Sequence, residues 1–328
     1  MSTQELNRPV GNRPANEGTA YGRAPGQHNA TLTEVGAGTP GGEYLRRYWH
    51  PIAFASDVGH HPQKVRVLAE DLILFRDGKG RPGLLYPRCC HRGTNLFYGK
   101  TEERGIRCCY HGWLFDTEGR CVEQPCEEDG GRERAHIRQP WYPVQERYGL
   151  VFAYLGPPDR MPVLPRIYIF EDLPPGYSVF PHGGPGMSGY ADAAAAPGET
   201  SVPYNWFQTF ENGVDPFLVW ILHSTFSDFP QFGEAYTNRP RIEFDATKTS
   251  IPNHAIHAQD GVLVDQVEEL VLSNLKALFP MNIEEGRGRR ISWVTPVDDT
   301  SFEYFGATAG PERLVEFDAV VMTPDGKT

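Results

Sequence analysis

The chain has 328 residues, a formal net charge of −11, 39% hydrophobic residues and 12% aromatic residues. Its length and composition allow one large domain or two ordinary ones, and its acidity argues against a nucleic-acid partner, because phosphate binding needs clustered Lys and Arg. No apolar run approaches the roughly 18 residues of a membrane span, and the first residues lack the apolar segment of a secretory signal, so we expect a cytoplasmic protein without membrane attachment.

The chain begins with a segment, residues 1–30, that is rich in Asn, Gly, Pro and charge and shows no periodicity. This composition predicts a mobile N-terminal arm. Thr39 and Pro40 then predict a helix start, with the hydroxyl as N-cap and the proline in the first turn. Apolar residues spaced as on one helix face follow at Tyr44, Leu45, Tyr48 and Trp49.

From residue 64 to 155 the apolar period changes to two, which predicts strands. Two turns rich in Asp and Gly, at residues 77–80 and 116–119, each lie between short apolar runs and predict β-hairpins. The run at residues 148–154 predicts a buried strand that closes this all-β segment.

A Pro-rich stretch between residues 156 and 175 predicts a boundary between two domains. We therefore divide the chain into the arm, a domain over residues 31–160 and a second domain over residues 161–328. In the second domain the pattern predicts a helical segment at residues 205–226. It also predicts four strands, at residues 241–244, 261–264, 291–294 and 302–305.

All six cysteines lie between residues 89 and 126, including the adjacent pairs Cys89-Cys90 and Cys108-Cys109. A disulfide framework is typical of small secreted domains, whereas clustered cysteines in a cytoplasmic protein favour metal binding. The strand pattern places the paired cysteines on loops beside the predicted hairpins.

Two histidines accompany the paired cysteines, in the pattern Cys89-x-His91, sixteen further residues, then Cys108-x-x-His111. Two Cys and two His are also a ligand set for zinc, but zinc sites of this composition usually take both Cys from one loop and both His from a helix. Here each loop supplies one Cys and one His, which favours an asymmetric [2Fe–2S] cluster with two thiolates on one iron and two imidazoles on the other.

With Arg92-Gly93 after the first pair and Gly112-Trp113 after the second, these loops resemble those of the terminal (alpha) subunits of Rieske non-haem iron oxygenases. The flanking sequences, residues 49–51 and 123–125, are similar to the phthalate dioxygenase and aromatic O-demethylase branch.

The resembled family commonly has proline at positions 90 and 109, where this chain has cysteine. We consider two interpretations of Cys90 and Cys109: small residues packed near the cluster, or a redox-labile bridge between the two loops.

The resemblance implies an α+β protein, with an N-terminal all-β Rieske domain followed by an α+β, helix-grip-like oxygenase domain built on an antiparallel sheet. It implies O₂-dependent hydroxylation or demethylation of a small aromatic substrate. Electrons would come from NAD(P)H through a separate reductase or ferredoxin, and the implied assembly is a trimer, as a homo- or hetero-oligomer. No side chain in the sequence identifies the substrate.

The family also binds a mononuclear iron through the pattern Glu-Asn-x-x-Asp-x-x-His-x4-His and a distant carboxylate. This chain matches at Glu211, Asn212, Asp215 and His223, but Leu218 occupies the place of the first His. No helix in the last twenty residues offers the carboxylate, so the resemblance implies a C-terminally short domain with a damaged iron site. It also implies that Asp215 accepts a hydrogen bond from His111 of a neighbouring subunit, as an electron-transfer bridge.

Three interpretations follow from these departures. The chain is an altered version of a working oxygenase subunit, a ligand-deficient partner subunit that passes electrons to an intact neighbour, or an electron-transfer protein. His254 and His257 are potential substitute nitrogen ligands, but they have no evident partners and we predict that both lie on the surface.

Overall fold

The computed structural model describes residues 26–183, 201–218, 220–222, 239–259, 261–271, 275–279 and 289–311. Most of the predicted mobile arm, residues 1–25, lies outside this range. The remainder begins with two short helices, α1 (Ala30–Thr33) and α2 (Pro40–Leu45), and the Thr39 hydroxyl accepts a 3.1 Å hydrogen bond from Gly42 N–H as the predicted N-cap of α2.

Eleven strands between residues 49 and 154 form three small antiparallel sheets, with the orders β1-β11-β10, β2-β3-β4-β9 and β5-β6-β7-β8. Both predicted hairpins and the buried closing strand are present. The strands are β1 (Trp49–Phe54), β2 (Gln63–Val67), β3 (Glu70–Arg76), β4 (Pro82–Leu85), β5 (Lys100–Glu102), β6 (Gly105–Arg107), β7 (Leu114–Phe115), β8 (Cys121–Glu123), β9 (Trp141–Tyr142), β10 (Val144–Arg147) and β11 (Leu150–Tyr154).

A seven-stranded antiparallel sheet dominates the second half of the described chain, with the order β12-β18-β17-β16-β15-β14-β13. The four predicted strands lie within it. Three further strands of this sheet, Tyr177–Gly183, Ser250–Gln259 and Leu275–Phe279, were not predicted. The strands are β12 (Tyr177–Gly183), β13 (Arg241–Phe244), β14 (Ser250–Gln259), β15 (Val262–Val271), β16 (Leu275–Phe279), β17 (Arg289–Asp298) and β18 (Ser301–Pro311). Together with the short helices, these sheets make the protein α+β, as expected.

Two helix predictions need correction, and each involves a proline. The helix α2 ends at Leu45, and Trp49 instead opens β1, in which His50 precedes Pro51 and is therefore biased to extended backbone. The predicted helical segment 205–226 is interrupted as well, since Asp215 precedes Pro216 and separates two short helices. The other α-helices of the described residues are α3 (Tyr168–Glu171), α4 (Trp206–Asn212) and α5 (Pro216–Leu218).

The two faces of the seven-stranded sheet pack against different parts of the chain. On the first, which we call the α4 face, Val294, Phe302 and Tyr304 share a core with Trp206 of α4. On the opposite face, side chains including Trp293 pack against β1, β11 and α3. Strand alternation assigns neighbouring residues of β17 to opposite faces.

The two histidines of β14 differ in exposure. His257 is 4% exposed, so the prediction of a surface position was wrong for it: its register places it on the α4 face with Asn253 and Ala255. His254 is partly exposed, and its Nδ1 lies 3.0 Å from Asp265 Oδ2, a hydrogen bond that raises the pKa of the imidazole. No helix among the described residues is long and apolar enough to cross a membrane.

Burial of His50 makes the stability of the fold depend on pH. The ring is 0% exposed and donates from Nε2 to Leu45 O at 2.8 Å, while burial lowers its pKa from 6.5 to about 4. Below pH 6.5 the unfolded chain binds a proton on the His50 ring, whereas the folded chain does not bind it until the pH approaches 4. The stability that depends on the neutral ring is therefore fully present above pH 6.5 and is lost as the pH falls toward 4.

We expect His50 alone to cost about 2 kcal/mol of unfolding free energy between pH 7 and pH 5. A His50→Gln variant keeps a donor for Leu45 O but does not titrate, so its unfolding free energy should fall less over the same pH interval. Urea unfolding of both proteins at the two pH values measures the difference, and equal pH dependences would contradict the assignment.

Candidate iron–sulfur site

The predicted cluster ligands lie on two loops with the same hydrogen-bond pattern. In the first, Cys89 N–H donates to Thr94 O at 2.9 Å and Gly93 N–H donates back to Cys89 O at 2.8 Å. In the second, Cys108 N–H donates to the carbonyl five residues on at 2.9 Å and Gly112 N–H donates to Cys108 O at 3.1 Å. Each loop therefore closes tightly at its glycine.

Both glycines adopt backbone conformations that other residues rarely take. The φ angles are +73° at Gly93 and +72° at Gly112. At Gly112 an added Cβ would also lie 2.7 Å from Pro125 Cγ. Glycine is thus required in each loop by the left-handed backbone, and in the second also by the close approach of the proline ring.

The two loops bring one buried thiol each to the same place. Cys89 and Cys108 are 3% and 4% exposed, and their thiols are within hydrogen-bonding distance of each other. The pKa of Cys89 is raised, first by a hydrogen bond with Cys90 and then by burial, and burial raises the pKa of Cys108. Two buried, neighbouring thiols are stable as thiolates only when a cation neutralises them, as metal ligation does.

The two histidines form a second pair beside the thiols. The rings of His91 and His111 have centroids 4.8 Å apart, and His91 stacks on Trp113 at 4.3 Å with an interplanar angle of 3°. The Nδ1 atom of His111 is buried with no hydrogen-bond partner among the described residues. Burial, with His111 nearby, lowers the pKa of His91 and so favours the neutral imidazole that binds metal.

This donor set fits a [2Fe–2S] cluster. Thiol lies beside thiol and imidazole beside imidazole, which is how a Rieske cluster distributes its ligands between two irons. Within the described ranges no three His, Cys, Asp or Glu side chains are grouped to hold a single metal ion. The orphaned Nδ1 of His111 is a nitrogen acceptor that such a cluster would use.

Two polar side chains that the sequence did not single out hold the ligand loops in place. Gln139, 0% exposed, donates from Nε2 to Tyr86 O and Arg88 O at 2.8 Å and accepts from Cys90 N–H at 2.7 Å. It therefore fixes the chain on both sides of Cys89. Glutamine carries no motif signal, so only the fold identifies this role.

Arg107 is the corresponding contact for the second loop. Its Nη1 donates to Gly112 O at 2.7 Å, and its other nitrogens bind Glu102 at 2.7 and 3.0 Å and Glu123 at 2.6 Å. The Arg107 guanidinium lowers the pKa of the Glu102 carboxyl. In the sequence, only the position of Arg107 directly before Cys108 could have indicated this contact with the second loop.

The remaining cysteines are free thiols. Cys90 and Cys109 are exposed, one beside each buried ligand candidate, so neither is packed into the core. Cys121 is buried in the same hydrophobic cluster as the two ligand candidates, and burial raises its pKa to about 11.

The residues predicted for the mononuclear iron are not brought to the cluster loops. Asp215 is exposed, and its Oδ1 accepts hydrogen bonds from Phe217 N–H at 3.2 Å and Leu218 N–H at 3.3 Å, at the start of α5. Leu218 is half-buried and has no atom that can bind iron. His223 lies outside the described residues.

Comparison with known proteins shows the family of this chain. Residues 48–143 match the family model of the Rieske [2Fe-2S] domain. The chain is 51% identical over 291 residues to the phenoxybenzoate dioxygenase subunit alpha of Ectopseudomonas oleovorans, covering 88% of this chain and 70% of the relative. It is 37% identical over 243 residues to the 5,5'-dehydrodivanillate O-demethylase oxygenase subunit of Sphingobium sp., covering 67% of this chain and 53% of that relative.

The fold agrees as well. Dicamba monooxygenase bound to dicamba superposes with a TM-score of 0.64 at 21% identity, covering 85% of this chain and 82% of that one. The chain carries a Rieske [2Fe–2S] domain and belongs to the oxygenase subunits of the Rieske oxygenases. The predicted resemblance to the dioxygenase and O-demethylase branch is thereby confirmed. Oxygenase components of this family work with a reductase or ferredoxin.

Proposed function

We propose that Cys89 and Cys108 bind one iron of the cluster and that His91 and His111 bind the other. The observation that supports this proposal is that two loops, which share the same hydrogen-bond pattern, bring together two buried thiols and two neighbouring imidazoles. When bound, the cluster supplies one electron at a time. Around it Gln139 and Arg107 fix the loops, and Trp113 covers one face of the His91 ring.

We further propose that the chain is the terminal oxygenase subunit of an O₂-dependent aromatic hydroxylase or O-demethylase, in the cytoplasm. Its two compared relatives are named as a phenoxybenzoate dioxygenase and an O-demethylase, which supports an aromatic substrate with an oxygen substituent. The domain division at residues 160 and 161 belongs to the same proposal. The seven-stranded sheet would then be the platform of the oxygenase domain, with α4 on the face that holds substrate.

In the proposed trimer, Asp215 accepts a hydrogen bond from His111 of the neighbouring subunit. Exposure of the Asp215 carboxylate supports this role, because a buried carboxylate would not reach another chain. Its second oxygen, Oδ2, accepts no hydrogen bond from the residues that the structure describes, while Oδ1 caps α5.

Leu218 favours a second candidate function, a catalytically deficient partner subunit or an electron-transfer protein. An iron site that lacks one of two imidazoles binds Fe(II) weakly, because leucine has no lone pair. On this proposal the cluster passes its electrons to an intact neighbouring subunit. Both candidates share the same cluster ligands.

Electron paramagnetic resonance of the dithionite-reduced protein, with iron and sulfide counted per chain, tests these proposals. A Rieske-type g pattern with two irons and two sulfides per chain is expected for the cluster alone, and a third iron would favour the complete oxygenase. The absence of the Rieske signal from protein with intact far-ultraviolet circular dichroism would overturn both candidates.

A Leu218→His variant is expected to bind additional Fe(II) on reconstitution, because it restores the second imidazole of the family pattern. Phe217→His is the matched control, since it places the same imidazole one position away on the same short helix. Iron per chain after gel filtration is the measurement. If both variants retain equal iron, position 218 is not the defect in a mononuclear site.

A further inference from the structure

A cavity of about 580 Å³ lies between the first half of the chain and the seven-stranded sheet. Its floor includes Phe152 of β11 and Trp293 of β17, whose rings meet edge to face with centroids 5.4 Å apart. Trp49 forms another wall and is anchored by a 2.8 Å hydrogen bond from Nε1 to Pro162 O. The volume is within the range of pockets that hold drug-sized molecules, and six aromatic side chains are among the described residues that line it.

This cavity is separate from the site proposed for oxygenation. Its sheet residues include Glu269, Ile291 and Trp293, which lie on the face opposite α4. Pairing confirms this assignment, because Glu269 and Ile291 both oppose the same residue of β16, Ala277. Neither the cluster loops nor the α4–α5 segment lines it. A ligand here would therefore be separated from the α4 face by the thickness of the sheet.

Two arginines line the same cavity and carry its positive charge. Arg147 Nη1 donates to Leu164 O at 2.9 Å and Pro165 O at 3.1 Å, which holds that guanidinium in place. The exposed Arg47 side chain has no hydrogen bond or ion pair recorded within the described residues, so its guanidinium is available to a ligand. One carboxylate, Glu269, also lines the cavity and leaves a net positive charge.

We infer that this cavity is a second ligand site, for an aromatic monocarboxylate whose ring lies among Trp49, Phe152 and Trp293 and whose carboxylate pairs with Arg47. Aromatic walls select a flat apolar body, and a free guanidinium selects a planar anion with which it makes two parallel hydrogen bonds. An uncharged aromatic would use the walls without the guanidinium, and an aromatic cation would be repelled by it.

Titration calorimetry of the cluster-loaded protein with 2-naphthoate tests this inference, with 2-naphthol as the uncharged probe. Arg47→Gln should weaken 2-naphthoate binding on the order of tenfold and change 2-naphthol binding less than about twofold. Glu269→Gln should tighten 2-naphthoate about threefold by removing a like charge. Arg166→Gln is the matched control, because Arg166 is exposed next to the cavity wall but does not line the cavity, and it should change binding less than about twofold.

Opposite shifts in the Arg47 and Glu269 variants would support the site. No binding of 2-naphthoate to wild-type protein would overturn it, as would equal affinities in all variants, which would place the probe elsewhere. The cluster signal recorded on the same samples keeps the tests distinct: a normal signal with no binding contradicts the second site alone, and binding without the signal contradicts only the cluster ligands.

Discussion

A Cys89→Ser variant is expected to lose the [2Fe–2S] cluster, whereas Cys90→Ser is expected to keep it. The two cysteines are adjacent in the chain, yet Cys89 is buried against Cys108 and Cys90 is exposed. A serine hydroxyl at position 89 remains protonated at neutral pH and is a poor substitute for a thiolate. Cluster content per chain should fall on the order of tenfold or more in Cys89→Ser and change little in Cys90→Ser.

The second loop repeats this experiment with Cys108→Ser and Cys109→Ser. Reduced-state paramagnetic resonance, the visible absorption of the oxidised protein and acid-labile sulfide give three readouts of the same cluster. Loss of the signal in Cys90→Ser or Cys109→Ser, with the signal retained in Cys89→Ser or Cys108→Ser, would assign the ligands to the other member of each pair.

A Gln139→Leu variant is expected to lower the unfolding free energy by about 2–4 kcal/mol, because three backbone groups lose their partner together. These groups are Cys90 N–H, Tyr86 O and Arg88 O, all within 2.8 Å of the Gln139 amide. Leucine fills a similar volume, so the loss is one of hydrogen bonds rather than of packing. The first ligand loop should loosen before the sheets unfold.

The measurement pairs thermal unfolding with the rate of cluster release into a chelator below the unfolding transition. Gln139→Leu should release its cluster faster at temperatures where circular dichroism is unchanged. Gln145→Leu is the control, since Gln145 is exposed on β10 and should change stability by less than about 0.5 kcal/mol. A lowered melting temperature with an unchanged release rate would leave Gln139 only a general role in stability.

The sequence determined the parts of this protein that depend on local chemistry. The spacing of Cys and His residues does not depend on what surrounds them, so Cys89, His91, Cys108 and His111 were predicted as cluster ligands directly. Hairpins with Asp and Gly turns were predictable for the same reason, since a turn of four residues contains its own hydrogen bonds. The effect of leucine at position 218 was also predictable from the sequence, because a leucine side chain has no lone pair to bind iron in any fold.

Which cysteine of each adjacent pair is buried could not be read from the sequence, since burial depends on how the loop closes at its glycine. Only the tertiary structure identified Gln139, which acts through backbone atoms some fifty residues away in the chain, at separations of 49 to 53 positions. The burial of His257 and His50 also depends on the fold. Strand register decides which face of a sheet a residue occupies, and the sequence of one strand does not reveal its register. The cavity with Arg47 brings Trp49 together with Trp293, residues more than two hundred positions apart in the chain, so no local pattern could contain it.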